Sequence, residues 1–266
     1  NTLNEFKSIN KNIKIIEWSV DNYFLDNTEK KFKERSSFVD AFFITNADEN
    51  IKSCLGKSNS ISFFPNIFDK SIEKMKIFEK SEYSYDVFYA LSFGVGTGKL
   101  KKVKSDYDRE AYLDLISNEY PDIRTNFFGY NGIQPVWGHS FENELAKSPI
   151  SLNLSRKPYL KYYSSDRISQ YLGNGSCVFV DINSKLDDLF NKEEVVFYDS
   201  NDHVDFGRKV LKMVNNIDIA KDIAKKGWNR GHINYNEKII TNYFLDIAFN
   251  KKPTNEYSWP IHQYFK

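Results

Sequence analysis

Residues 150–181, ISLNLSRKPYLKYYSSDRISQYLGNGSCVFVD, constrain the fold more than any other stretch of this chain. Two apolar runs, Ile150–Leu154 and Cys177–Val180, have the length and β-branched content of buried strands. Between them Ser164, Ser165 and Asp166 offer N-cap side chains ahead of a short helical stretch, Arg167–Leu172. Gly173 and Gly175 end that stretch and allow a tight turn into the second run. Such a unit sets a helix N-terminus at the carboxyl edge of a parallel sheet, where N–H groups and the positive end of the helix dipole suit an anion. Arg167, just inside the helix, adds a two-pronged phosphate partner. The segment reads as the place where a nucleotide diphosphate sits; ordinary capping beside a surface Arg is the competing reading.

At 266 residues the chain suits one large or two modest domains and can bury a sizeable core. A hydrophobic content of 41% with a mean hydropathy of -0.57 describes a globular protein. The formal net charge of +1 gives no overall field that would favour nucleic acid or a membrane surface. No apolar run approaches the ~18 residues of a membrane-spanning helix, and no signal-peptide pattern is visible. Cys54 and Cys177 sit in or beside apolar runs and read as buried free thiols in a reducing compartment. His139, His203, His232 and His262 are scattered, without metal-ligand spacing. The sequons at Asn153 and Asn174 fall inside the buried unit and read as chance.

Along the chain strand-like and helix-like segments alternate, which argues for α/β with a mainly parallel sheet. Strands are expected at Ile13–Val20, Phe38–Thr45 and Ser60–Phe64, the last closed by Pro65 and Asn66. Residues 69–84 are charged and read as a linker or surface helix. A new series begins at Tyr85–Ser92, followed by a loop from Gly94 to Asp106, a helix over Arg109–Glu119 and a strand over Ile123–Gly129. Ser140 is the expected cap of the next helix. After Asp181 a helix is expected at 184–190, a strand at Val195–Asp199 and helices at 202–215, 217–229 and 235–249, with Lys226-Gly227-Trp228-Asn229 as a helix end. The boundaries follow as 1–82, 83–249 and a tail, 250–266, expected to cross back over the first segment. The chain starts with Asn rather than Met, and its first part reads as the end of a domain whose beginning is absent.

Further candidates lie at strand ends. Gly94, Gly96 and Gly98 let a backbone approach phosphate closely, and Lys99 follows them. The loop is not a Walker A motif, which needs Gly where Phe93 stands and Ser or Thr where Leu100 stands. Nor is it a dinucleotide fingerprint, whose third Gly would fall at Lys99. A solvated lysine loop is the competing reading. In the loop after the Ile123–Gly129 strand, Tyr130 or Trp137 could stack on a base and His139 could bond its edge or a phosphate; core packing competes. Gln170 could bond a ribose or sugar hydroxyl, and Asp21 closes the first strand.

From Ile13 to Phe249 the chain resembles the GT-B glycosyltransferases, in the branch related to spore-maturation proteins and the group 1 C-terminal domain. Leu152-Asn153-Leu154-Ser155, Arg167, Gly175, Val178–Asp181, Leu186–Phe190, Val196–Asp199 and the Ile223–Gly227 helix carry the resemblance. Trp18 to Asp21 and Phe64-Pro65-Asn66 resemble that branch's earlier strand ends. The resemblance implies two Rossmann-like domains with parallel sheets, the N-terminal, acceptor-side one incomplete. It implies transfer of a sugar from a UDP- or GDP-type nucleotide-sugar to a glycan, lipid-linked or protein acceptor, with no essential metal or cofactor and no nucleic acid. Arg167 and Lys99 would stabilise the leaving diphosphate, and Asp21 is the candidate general base. Location in the cytoplasm, with peripheral contact at the inner face of the membrane, follows from the same implication. Many relatives carry Glu where Gln170 stands, and Gln cannot be an anionic acceptor. A non-catalytic nucleotide- or glycan-binding relative is therefore the alternative. A dehydrogenase or epimerase is disfavoured by the missing glycine fingerprint.

Overall fold

The computed structural model describes residues 2–20, 34, 39–54, 60–91, 109–155, 159–250 and 252–265. In chain order its strands are β1 (Ile16–Ser19), β2 (Ala41–Ile44), β3 (Ser60–Phe63), β4 (Val87–Ala90), β5 (Thr125–Phe128), β6 (Ile150–Leu152), β7 (Cys177–Asp181), β8 (Val196–Tyr198) and β9 (Gln263–Phe265). Its α-helices are α1 (Thr2–Ile9), α2 (Arg109–Glu119), α3 (Gly138–Leu145), α4 (Arg167–Gly173), α5 (His203–Asn215), α6 (Ile217–Asn234) and α7 (Glu237–Asn250).

Two sheets form. The first has the order β1-β2-β3-β9, parallel except for β9, which runs antiparallel to β3. The second is wholly parallel with the order β5-β4-β6-β7-β8. Strands covered on both faces read as near-continuous apolar runs, and β2, β4 and β7 are buried at every position, β7 ending on the buried Asp181. Register sets Val87 of β4 opposite Ile150 of β6, and Ile150 opposite Cys177 of β7. In the second sheet the chain goes from β4 to β5 on one side and then to β6 on the other. That reversal opens a crevice beyond the carboxyl ends of β4 and β6, the usual ligand position in open α/β sheets.

One apolar cluster joins the sheets: Phe43 and Phe63 of the first share it with Phe88, Val178 and Val180 of the second. Helix α7, counted on sequence with the second unit, lays Phe244 against Phe43 of β2 at a centroid distance of 4.1 Å. The tail brings buried Trp259 against Tyr243 of α7 and pairs β9 with β3. Asp246 fastens the tail by accepting from Thr254 Oγ1 and Tyr257 Oη, both at 2.6 Å.

Of the two readings of residues 69–84, linker or surface helix, the first holds: they run as an irregular connection with one 3-10 turn, Ile77–Glu79, and bury Glu73 and Ile77. Three local expectations change. The expected helix at 184–190 is two 3-10 turns, Ile182–Ser184 and Leu186–Asp188, broken at Lys185 with φ 57. Gly227 lies inside α6 rather than ending it. A Cβ there would come 2.3 Å from the Glu194 carbonyl oxygen, so this glycine serves close packing. Helix α3 starts at Gly138 with Trp137 at its cap, which leaves Ser140 within the first turn. Among the described residues no helix is long and apolar enough to cross a membrane.

Candidate functional site

Arg167 occupies the crevice at the strand-order reversal. Its Nη2 donates to the Leu154 carbonyl at 2.8 Å, just past β6, and its Nη1 to the Ala90 carbonyl at 3.3 Å, at the end of β4. The guanidinium also lies 5.4 Å from the Tyr89 ring centre. One turn on, Tyr171 accepts the Ala90 N–H at 3.2 Å. Positions 167 and 171 fall on one helix face, so α4 holds both sides of residue 90. The Nε of Arg167 is buried without a partner, and among the described residues no carboxylate lies within ion-pair distance of it. A guanidinium stays charged at any physiological pH. This one is therefore a half-buried cation whose hydrogen-bond partners among the described residues are neutral.

The residues before α4 do not cap it as the sequence suggests. Ser164 is fully buried, accepts from Asn153 Nδ2 at 2.8 Å and donates to the Ser165 carbonyl at 3.0 Å. Ser165 Oγ reaches Asn153 Oδ1 at 3.5 Å. The two hydroxyls thus tie the loop to the end of β6. Asp166 occupies the cap position in a helical conformation and makes no side-chain cap bond. The helix is only seven residues long, so the positive charge at this crevice comes from Arg167 among the described residues.

A cleft of about 290 Å³ opens in front of this arginine, at the small end of the range for ligand sites. Arg167, Asp166 and Gln170 line one wall, Trp137 and Glu142 another, and Glu73 a third. Trp137 is 53% exposed, which leaves a large ring face open to a ligand. Glu73 is 7% exposed, and burial raises its carboxyl above the ordinary carboxylate range. Its position was not legible in sequence, because it is one of several charges in a stretch without periodicity.

The other candidates divide. His139 is exposed and pairs with Glu142 at 3.2 Å, so it bonds a cleft residue without lining the cleft. Tyr130 is not at the cleft: its hydroxyl donates to Asp114 of α2 and its ring packs on Phe127. Burial and the Asp114 bond push its hydroxyl up to about 12. Asp21, Gly94, Gly96, Gly98 and Lys99 lie outside the described residues. Among the described residues no three His, Cys, Asp or Glu side chains group as metal ligands.

The arrangement can hold an anion at Arg167 beside a flat ring and hydrogen-bonding groups. Comparison with known proteins gives the context. Solved structures with the same fold include a mutant of S. aureus TarM in complex with Fondaparinux, alpha-GlcNAc-glycerol and UDP. It is 14% identical with a TM-score of 0.62, and the match covers 93% of this chain and 54% of that one. Anabaena HepE in complex with UDP and glucose is 9% identical with a TM-score of 0.60, covering 88% and 70%. Sucrose-phosphate synthase from Thermosynechococcus elongatus is 12% identical with a TM-score of 0.52, covering 94% and 71%. This chain thus spans about half the length of TarM. No curated protein matches it by sequence. These likenesses fix the fold as that of the GT-B glycosyltransferases. The family model described as glycosyl transferase-like matches residues 100–241, more than half of the chain and all of the second sheet from β5 onward, and the chain therefore belongs to that family.

Proposed function

We propose that this chain transfers a sugar from a UDP- or GDP-type nucleotide-sugar to a glycan, lipid-linked or protein acceptor, with the donor diphosphate on Arg167. The observation that carries the reading is the half-buried guanidinium at the crevice, whose hydrogen bonds among the described residues go to the carbonyls of Ala90 and Leu154. As the glycosidic bond breaks, negative charge grows on the leaving diphosphate. A fixed cation already in place stabilises that charge without reorganising. In this reading Arg167 takes the part a metal plays elsewhere, Lys99 and the Gly94–Gly98 backbone add to it, and Trp137 covers the base or sugar face. Asp21 is the proposed base for an inverting transfer. Nucleotide-sugars are made in the cytoplasm, which is the proposed location, with peripheral membrane contact for a lipid-linked acceptor.

The test is thermal protection of the full chain by UDP, UDP-glucose, GDP and GDP-mannose. At a concentration of ~100 times Kd a ligand adds ~2.7 kcal/mol. Losing a charge-assisted contact of ~1.5–3 kcal/mol weakens binding ~10- to 150-fold. In Arg167→Ala the protection should then fall to roughly 1.4 kcal/mol or less at the same concentration. Melting of the wild type that no nucleotide alters would overturn the reading. Gln170 lines the cleft where a carboxylate would be an anionic acceptor, and this favours one second reading, a relative that binds the nucleotide without transfer. Binding with no sugar transfer across a broad acceptor panel would select it.

A further inference from the structure

Glu73 and Arg167 line the same cleft from different elements. Glu73 belongs to the irregular connection and lies over the far end of α4. A Cβ at Gly173 would come 2.7 Å from the Cβ of Glu73 and 2.9 Å from its Cγ, so the glycine makes room for this side chain. Gly173 is six residues beyond Arg167, a separation of about 9 Å at ~1.5 Å rise per residue.

The carboxylate is fixed rather than free to turn. Its Oε2 accepts the Asp69 N–H at 2.8 Å, and the residue is 7% exposed. No donor from another described residue bonds Oε1, Oε1 is not among the fully enclosed unpartnered atoms, and the residue lines the cleft. Among the described residues no Lys or Arg pairs with Glu73. Of the other two carboxylates on the cleft wall, Glu142 is engaged by His139 and Asp166 stands at the Arg167 end of the helix.

The cleft therefore offers a cation at Arg167 and an acceptor-only group packed on Gly173, whose backbone lies about 9 Å further along the helix. A ligand that satisfies both carries an anion and, at that spacing, hydroxyl donors. A nucleoside diphosphate and its sugar conjugate both fit that description. We propose that Glu73 is a donor-binding residue whose Oε1 accepts hydrogen bonds from hydroxyls of the bound nucleotide-sugar. The proposal rests on the reading of the cleft as a nucleotide-sugar site. It assigns hydroxyl recognition to the connection between the sheets, so the first sheet's side of the molecule takes part in donor binding.

Calorimetric titration of the full chain with UDP, GDP, UDP-glucose and GDP-mannose tests it, on wild type, Glu73→Ala, Glu73→Gln and Arg167→Ala. Glu73→Ala should weaken the nucleotide that binds by about tenfold or more, the worth of a hydrogen bond to a charged acceptor. Glu73→Gln keeps the volume and an oxygen for the Asp69 N–H, and should weaken it by about threefold or more. It decides the matter if the alanine variant does not fold. Loss already seen with UDP or GDP assigns the ribose hydroxyls; loss seen only with the sugar conjugates assigns the sugar. Removing the recognised hydroxyl, for ribose with 2′-deoxy and 3′-deoxy nucleotides, should weaken wild type similarly and Glu73→Ala no further. Wild-type affinity in both Glu73 variants, with binding lost in Arg167→Ala, overturns this proposal and leaves the cleft reading standing. No binding by the wild type overturns both.

Discussion

Gly231 offers a quantitative check on how the connection is anchored. A Cβ at this position of α6 would lie 2.2 and 2.3 Å from two ring carbons of Phe68. Ordinary carbon contacts are ~3.5–4.0 Å, so the ring would have to retreat by more than about 1 Å. It has little freedom to do so. Phe68 is 1% exposed, its ring packs on His232 and Tyr235, and its N–H donates to the Tyr235 carbonyl at 3.0 Å. Overpacking costs ~1–3 kcal/mol, and the rigid surroundings put this case near the top. Alanine regains ~1 kcal/mol of helix propensity. Gly231→Ala should therefore destabilise by about 2 kcal/mol net, lowering Tm by roughly 4–8 °C. Gly207 of α5 is the control, because its Cβ would meet the outer atoms of the Tyr120 ring, a half-buried side chain that can swing away. Gly207→Ala should melt within about 3 °C of wild type or above it. Thermal unfolding followed by circular dichroism reads both. Gly231→Ala melting at or above wild type would refute the anchoring argument, since helix propensity alone would then describe both sites.

Two further expectations concern titration and reactivity. At Asp246, burial works against the charge, but the Thr254 and Tyr257 hydroxyls with the Thr254 and Asn255 amides outweigh it and hold the carboxyl at about 2. A depressed folded value adds stability that is fully present above the ordinary value of 3.8 and lost as pH falls through about 2. Asp246→Asn should thus melt below wild type at pH 7, and the difference should close between about pH 4 and 2; a constant difference would contradict the assignment. Burial pushes the Cys177 thiol up to about 12. Peptide mass spectrometry after iodoacetamide at pH 8 should find Cys177 unmodified in the folded chain and alkylated after denaturation.

Two of the four crossover units of the second sheet were legible because burial on both faces forces continuous apolar runs. Ile150–Leu152 and Cys177–Asp181 show this, and α2 carries an apolar face over the bounds its residues suggest. The place of Arg167 at the carboxyl edge of the sheet was legible as well, since a charged residue just past a strand and loop is conspicuous. What failed was local. The Ser164–Ser165–Asp166 cluster has capping chemistry, but tertiary bonds to Asn153 claim the serines. Gly227 reads as a helix stop only until the Glu194 backbone comes against it. Glu73 gave no signal at all, because its place in the cleft depends on a glycine a hundred residues later that makes room for it.

The most direct measurement is a crystal structure of the full chain with UDP-glucose or GDP-mannose bound. The account predicts diphosphate oxygens about 2.7–2.9 Å from the Arg167 guanidinium nitrogens, at the carboxyl ends of β4 and β6. A donor bound with its phosphates away from Arg167, or no donor in the cleft at saturating concentration, would contradict it.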